Sequence, residues 1–322
     1  MLFAFGPILA VLTNTNERFE ITGPQQPTSL AQINRNQMAE NCIVEVSSGL
    51  VKGSLTRHPA SGAACYSFKG IPYAIAPVGP LRFRTPQPLP RHPESILDCT
   101  TERAVSLASS YLPPNAQLAS EDCLFLNVYT PINPHEELAD GPLPVMVWLH
   151  GGAFCTGSGD SSIYHPEWLI AESVIVVTIN YRLGPAGFLC LPSMGIYGNM
   201  GLKDQRLALE WVRSNIRSFG GDAGNVTLCG ESAGAVSAHL HYLSERSHHL
   251  FHKVICQSGT ATSSITFQTQ PESKARRLAE YFGCPAKASD AEILEILTNV
   301  EPASLAKSQK EALTPYEKTL DS

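Results

Sequence analysis

What is missing from this 322-residue chain narrows its chemistry before any motif is considered. Its nine cysteines include no Cys-x-x-Cys pair, and no cysteine and histidine set has zinc-site spacing, so neither a metal nor a cofactor is expected. The 23 basic residues are scattered rather than gathered into a stripe, and the net charge is -6. That balance leaves no electrostatic footprint for nucleic acid. No apolar run approaches the ~20 residues of a membrane helix, so no membrane span is expected. Leu2 to Leu12 is apolar, but no Lys or Arg precedes it and no small-x-small cleavage site follows. Those missing marks argue against a secretory signal and put the weight on a cytoplasmic location, with the compartment left open. Histidine is absent after His252.

What is present is the composition of a globular protein, 43% hydrophobic, with enough length for a sizeable core. Residues 1–40 are polar after the first dozen and lack periodicity, and read as a leader or loose N-terminal arm. Residues 41–322 read as one folded portion. Ile43 to Val46 and Tyr66 to Lys69 alternate as antiparallel strands do. The proline-rich segment from Pro72 to Pro93 cannot be a helix interior and is expected to be a fixed surface loop. From Leu124 the pattern changes to strands alternating with helices. Val145 to Leu149 and Val174 to Ile179 are continuous Val and Ile runs, as expected of strands buried on both faces of a mainly parallel sheet. Asp204 to Ile216 has helical spacing, Val226 to Cys229 and Val254 to Cys256 are further strands, and Ala291 to Val300 is an amphipathic helix. The alternation predicts an α/β fold with flanking helices and with active groups at the C-terminal strand ends.

Two motifs carry chemistry. Gly230-Glu231-Ser232-Ala233-Gly234 stands between the strand Val226 to Cys229 and a helical stretch from Ala235 to Leu243. There a serine occupies a sharp strand-to-helix turn, the flanking glycines let strand and helix approach, and Ser232 Oγ projects as a nucleophile. His150-Gly151-Gly152-Ala153-Phe154 directly follows the strand Val145 to Leu149. Backbone N–H groups in such a glycine loop can converge on the oxyanion of an acyl-transfer intermediate. The donors are assigned to Gly152, Ala153 and Ala233. Either motif alone has a bland reading as a glycine turn; a glycine loop followed downstream by the serine is the order that an acyl-transfer site on an α/β sheet uses.

Further stretches carry a resemblance to a known family. They are Phe68-Lys69-Gly70-Ile71-Pro72-Tyr73-Ala74, Pro77-Val78-Gly79-Pro80-Leu81-Arg82-Phe83 and Ser120-Glu121-Asp122-Cys123-Leu124-Phe125-Leu126-Asn127-Val128-Tyr129. Asn180-Tyr181-Arg182-Leu183-Gly184, Gly198-Asn199-Met200-Gly201-Leu202-Lys203-Asp204-Gln205 and Phe219-Gly220-Gly221-Asp222 extend it. From Val46 onward the chain resembles the type B carboxylesterases, the cholinesterase-like family, and is most similar to the arthropod alpha-esterases. The resemblance implies an α/β-hydrolase fold and hydrolysis of small-molecule carboxylic esters through an acyl-serine at Ser232. It also implies that Glu231 helps electrostatically, that Arg82 and Glu121 form a structural ion pair, and that Cys123 pairs with Cys99 if the compartment oxidises.

A serine hydroxyl needs a general base, and in this fold the acid and the histidine follow the serine. His239, His241, His248, His249 and His252 follow closely, but His239 is already roughly 10 Å along a helix from Ser232 at about 1.5 Å per residue. His150 is expected to serve the structure of its loop. The sheet is therefore expected to be incomplete at the C-terminal side, with the triad acid and histidine absent from this chain. Three readings compete: part of an ester hydrolase, a catalytically inactive cholinesterase-like binding or adhesion protein, and a stoichiometric sink for esters or organophosphates. Retention of Ser232 and Gly152 favours the first, because a binding protein has no need for a strained turn.

Overall fold

A computed structural model describes residues 42–57, 64–108, 119–136, 141–268 and 270–314, together with Met38 and Gly62. The expected arm over residues 1–40 lies, Met38 apart, outside the described residues.

The chain opens with β1 (Ile43–Val46) and β2 (Gly49–Lys52), an antiparallel pair that β5 (Ile96–Asp98) joins in parallel. The main sheet draws on β3 (Ser54–Arg57), β4 (Ala64–Pro72), β6 (Phe125–Thr130), β7 (Leu143–Leu149) and β8 (Ile175–Ile179). It is completed by β11 (Gly221–Glu231) and β12 (Lys253–Gln257), while β9 (Cys190–Leu191) and β10 (Ile196–Tyr197) form a separate small ribbon. The seven strands lie in the order β12-β11-β7-β8-β6-β4-β3.

The sheet is mixed rather than mainly parallel. β12, β11, β7 and β8 run parallel, whereas β6, β4 and β3 join antiparallel to their neighbours. Connection length explains the division. β7 reaches β8 past helix α1 (Glu167–Ala171), and β8 reaches β11 past α2 (Gly184–Phe188) and α3 (Met200–Asn215). β11 reaches β12 past α4 (Ala233–Leu243). Such crossovers return the chain in the same direction, while β3 and β4 are close enough in sequence for an antiparallel pair.

β6 and β8 are buried along their whole length. Val147, Val177 and Leu228 of adjacent strands share one core with Leu209 and Val212 of α3. At roughly 1.5–3 kcal/mol for each such side chain, this core secures α3 against the sheet. The helix starts at Met200, earlier than its apolar periodicity suggests, because Asn199 takes a left-handed turn at its N-cap (φ 58°). A second apolar cluster joins α5 (Pro271–Tyr281), α6 (Asp290–Asn299) and α7 (Pro302–Lys307) to Phe83.

The proline-rich segment is a surface loop only in part: Val78 to Pro80 and several residues from Thr85 to Pro93 are exposed, but others reach inward. Tyr73, Ala74, Arg82 and Phe83 are buried, and Tyr73 Oη donates to Asn180 O at 2.7 Å. Arg82 pairs with Glu121 through Nε and Oε1 at 2.6 Å and through Nη2 and Oε2 at 2.7 Å. Its Nη1 also donates to the carbonyls of Leu297, Thr298 and Val300 at the end of α6. The ion pair is thus also a helix cap, satisfying carbonyls that have no partner inside the helix. The acids of α6 do surface work: Glu292 closes a capping box with Ser289, and Asp290 pairs with Arg276 at 2.8 Å.

Candidate active site

β11 ends between two parallel neighbours, with Gly230 opposite Leu149 of β7 and Glu231 opposite Gln257 of β12. Ser232 follows at once. Its N–H donates to Gln257 O at 2.9 Å, its carbonyl accepts from Val236 N at 2.9 Å, and α4 starts at the next residue. The chain reverses within one residue, and Ser232 takes φ 54° and ψ −120° to do so. A side chain held in so sparsely populated a region costs on the order of 1–3 kcal/mol and persists only where its surroundings enforce it.

Those surroundings explain the glycines of the motif. A Cβ on Gly230 would lie 2.3 Å from the Gly234 carbonyl carbon, and one on Gly234 would lie 2.0 Å from Leu149 O. Gly259, after β12, is as tightly placed: its Cβ would lie 2.5 Å from Ser232 O.

The loop after β7 comes down on this turn. A Cβ on Gly151 would fall 2.6 Å from Glu231 Oε2 and 3.1 Å from Ser232 Cβ, so the two motifs touch although about eighty residues separate them. His150 anchors the loop from below. It is fully buried, its ring stacks on Tyr181 at 4.3 Å, and Nδ1 donates to Gly151 O at 2.8 Å. Tyr181 Oη donates to His150 O at 2.8 Å. Burial pushes the imidazole down to about 4, so it is neutral at pH 7.

Beyond His150, three successive residues have positive φ: Gly152 at 101°, Ala153 at 52° and Phe154 at 61°. The carbonyl of Gly152 accepts from Cys155 N and Thr156 N, which tightens the turn. Among the described residues no protein group accepts from the N–H of Gly152, Ala153 or Ala233. Glu231 is exposed, with its carboxylate against Gly151.

No described histidine is hydrogen-bonded to Ser232. His239 Nδ1 accepts from Ala261 N at 3.1 Å, and His252 Nδ1 accepts from Val226 N at 3.2 Å. His248 Nδ1 lies 3.1 Å from Ser244 O. His241 is buried between Gln205 Oε1 and Ser247 Oγ, each at 3.0 Å, and burial pushes it down to about 4. Gln205 Nε2 in turn donates to Ser237 Oγ, which donates to Ala233 O, so a hydrogen-bonded chain ties α3 to the first turn of α4. Sequence reasoning missed this chain. Its members recur at helical spacing on α4, but nothing local shows that Gln205 faces them. Cys99 and Cys123 are both buried free thiols, and burial holds each up to about 12.

Residues 40–320 match the model of the Carboxylesterase family. The chain belongs to the carboxylesterase family. It is 37% identical to a cholinesterase of Mus musculus over 292 residues, which are 86% of this chain and 47% of that protein. It is 40% identical over 286 residues to a juvenile hormone esterase of Tribolium castaneum, covering 85% of this chain and 47% of the relative. Esterase E4 of Myzus persicae is 40% identical over 266 residues, 82% of this chain and 47% of that enzyme. The chain spans about half the length of the curated relatives it matches. The carboxylesterase fold is of the α/β-hydrolase type, in agreement with the central sheet and its flanking helices.

Proposed function

We propose that this carboxylesterase-family chain contributes the nucleophile and the oxyanion donors for hydrolysis of small carboxylic esters. The observation that carries the reading is Ser232, held at φ 54° and ψ −120° against the Gly151–Ala153 loop. Ser232 Oγ attacks the ester carbonyl carbon, the Oγ–C bond forms, and the hydroxyl proton passes to a base. The tetrahedral oxyanion then accepts from the N–H groups of Gly152, Ala153 and Ala233, which need no reorganisation to meet it. Collapse expels the alcohol as it takes up a proton, and water cleaves the acyl-serine. Glu231, beside the nucleophile, favours a cation formed there, as an imidazolium would be.

The proton acceptor is the missing part. His239, His241, His248 and His252 are engaged elsewhere, and His150 is buried beneath its loop. Residues 1–322 made alone are therefore expected to show at most the residual acceleration of a serine hydrolase without its base, roughly 10³ to 10⁴-fold over water. The test is hydrolysis of a chromogenic short-chain ester by this chain and by its Ser232→Ala variant. Weak hydrolysis that the substitution abolishes supports the reading. Residual hydrolysis indifferent to Ser232→Ala would refute the nucleophile, and steady turnover at an ordinary esterase rate would mean that a base is present.

A further inference from the structure

We infer that Phe154 is a positioning residue for the oxyanion donors and that it acts through Phe188; the inference rests on the donor loop proposed above. Three residues in a row hold positive φ here, and only the first, Gly152, is of a type that does so readily. An alanine and a phenylalanine left to themselves would return to negative φ and swing the adjoining peptide groups round. The turn bonds from Cys155 N and Thr156 N to Gly152 O span this pair and close the turn around it, but they lie within the loop and do not seat it on the rest of the fold.

Two contacts of Phe154 seat the turn on the fold, and both reach α2. The Phe154 carbonyl accepts from Gly184 N at 2.8 Å, and the Phe154 ring meets Phe188 edge-on, with centroids 5.1 Å apart and planes at 62°. Phe188 is itself seated against the start of α3. A Cβ on Gly201 would come within 2.9 Å of its ring and 2.5 Å of Arg182 O, so the ring packs directly on the backbone at the start of that helix. The path of force is thus α3 to Phe188, to Phe154, and to the backbone whose Ala153 and Gly152 N–H groups face no protein acceptor. The half-buried Phe154 ring and its partner Phe188 form the link in this path that a single substitution on either side removes while every backbone bond stays available.

The test compares Phe154→Ala, Phe188→Ala, their double variant and the ring-retaining Phe154→Tyr, with thermal unfolding as the folding check. Phenylboronic acid is the probe, followed by boron NMR. When it reacts, a bond forms between Ser232 Oγ and boron, the hydroxyl proton passes to buffer, and the boron becomes a tetrahedral anion beside the donors. The expected result is adduct affinity about tenfold weaker in each alanine variant, no weaker again in the double variant, and within about twofold of the parent in Phe154→Tyr. Amide exchange at Cys155 and Thr156 should quicken in the same variants, at an unchanged unfolding midpoint. Unchanged affinity and exchange in Phe154→Ala would overturn the inference, as would losses that multiply in the double variant. If the parent forms no adduct that Ser232→Ala removes, the functional reading fails, and the exchange data alone then decide whether Phe154 and Phe188 hold the loop together.

Discussion

Acidification from pH 8 to pH 5 should destabilise this chain well before its carboxylates matter, because two of its histidines are buried in neutral form. His150 and His241 are each pushed down from 6.5 to about 4, chiefly by burial, with Arg206 adding to the effect at His241. The sign follows from proton counting. Between pH 6.5 and 4 the unfolded chain binds a proton at each site and the folded chain does not, so stability is complete above that window and falls as the pH drops through it. A displacement of about 2.5 units is worth about 3 kcal/mol per histidine once both forms are protonated, and about 2 kcal/mol of that is already lost at pH 5. Two such sites approach half the stability of an ordinary domain, about 5–15 kcal/mol. Urea unfolding followed by circular dichroism at pH 8, 7, 6 and 5 measures the loss. His241→Gln removes one titration and keeps an amide able to bond Gln205, so its loss between pH 8 and 5 should be about 2 kcal/mol smaller than the parent's. Asp122, which burial raises, titrates alike in both proteins and cancels in the comparison. Parallel loss of stability in parent and variant would refute the assignment of the acid sensitivity to buried imidazole.

Two structural predictions accompany it. Arg82→Ala should cost about 3–5 kcal/mol in urea unfolding, since Glu121 is left buried without its partner and the end of α6 loses its cap; Arg82→Lys should recover only a part, because a lysine cannot bond the carboxylate and three carbonyls together. Gly234→Ala places a methyl group 2.0 Å from Leu149 O, so it should cost about 3 kcal/mol or more, seen as a lowered unfolding midpoint or loss of soluble protein.

The parts of the fold that could be read from the chain are those whose cause is local. β8 is buried on both faces, and a strand so placed has to be almost wholly apolar, which makes a run such as Ile175-Val176-Val177-Thr178-Ile179 legible by itself. The serine turn was legible for a similar reason: Gly230 and Gly234 are excluded from bearing a Cβ by atoms four residues away and by Leu149, and the exclusion leaves glycine in the text. Strand direction has no such local cause. The residues of β6 would suit either orientation, and its antiparallel pairing with β8 comes from where the chain arrives. β11 was read short for a different reason: its first half, Asp222 to Asn225, is polar and interrupted by an irregularity before Val226, so the apolar run reported only the buried half.

The same distinction separates the candidate-site residues that the sequence marks from those it does not. Ser232, Gly151 and Gly152 advertise themselves because a backbone constraint limits the residue type. Phe154, Phe188 and Gln205 meet partners that lie 30 or more residues away, and an apolar ring or a buried amide looks the same in sequence whether or not it has such a partner. Proline-rich sequence misled in a related way. Its stiffness excludes helix, but stiffness carries no information about depth, and the two ends of the segment from Tyr73 to Phe83 are drawn inward by what they satisfy: the Asn180 carbonyl at one end and the carbonyls at the end of α6 at the other. Depth in this protein follows unsatisfied polar groups as much as it follows apolar surface, and the Ser232 turn would obey the same rule in reverse on the proposed reading, in which the unpaired N–H groups of Gly152, Ala153 and Ala233 are the ones a substrate oxygen satisfies.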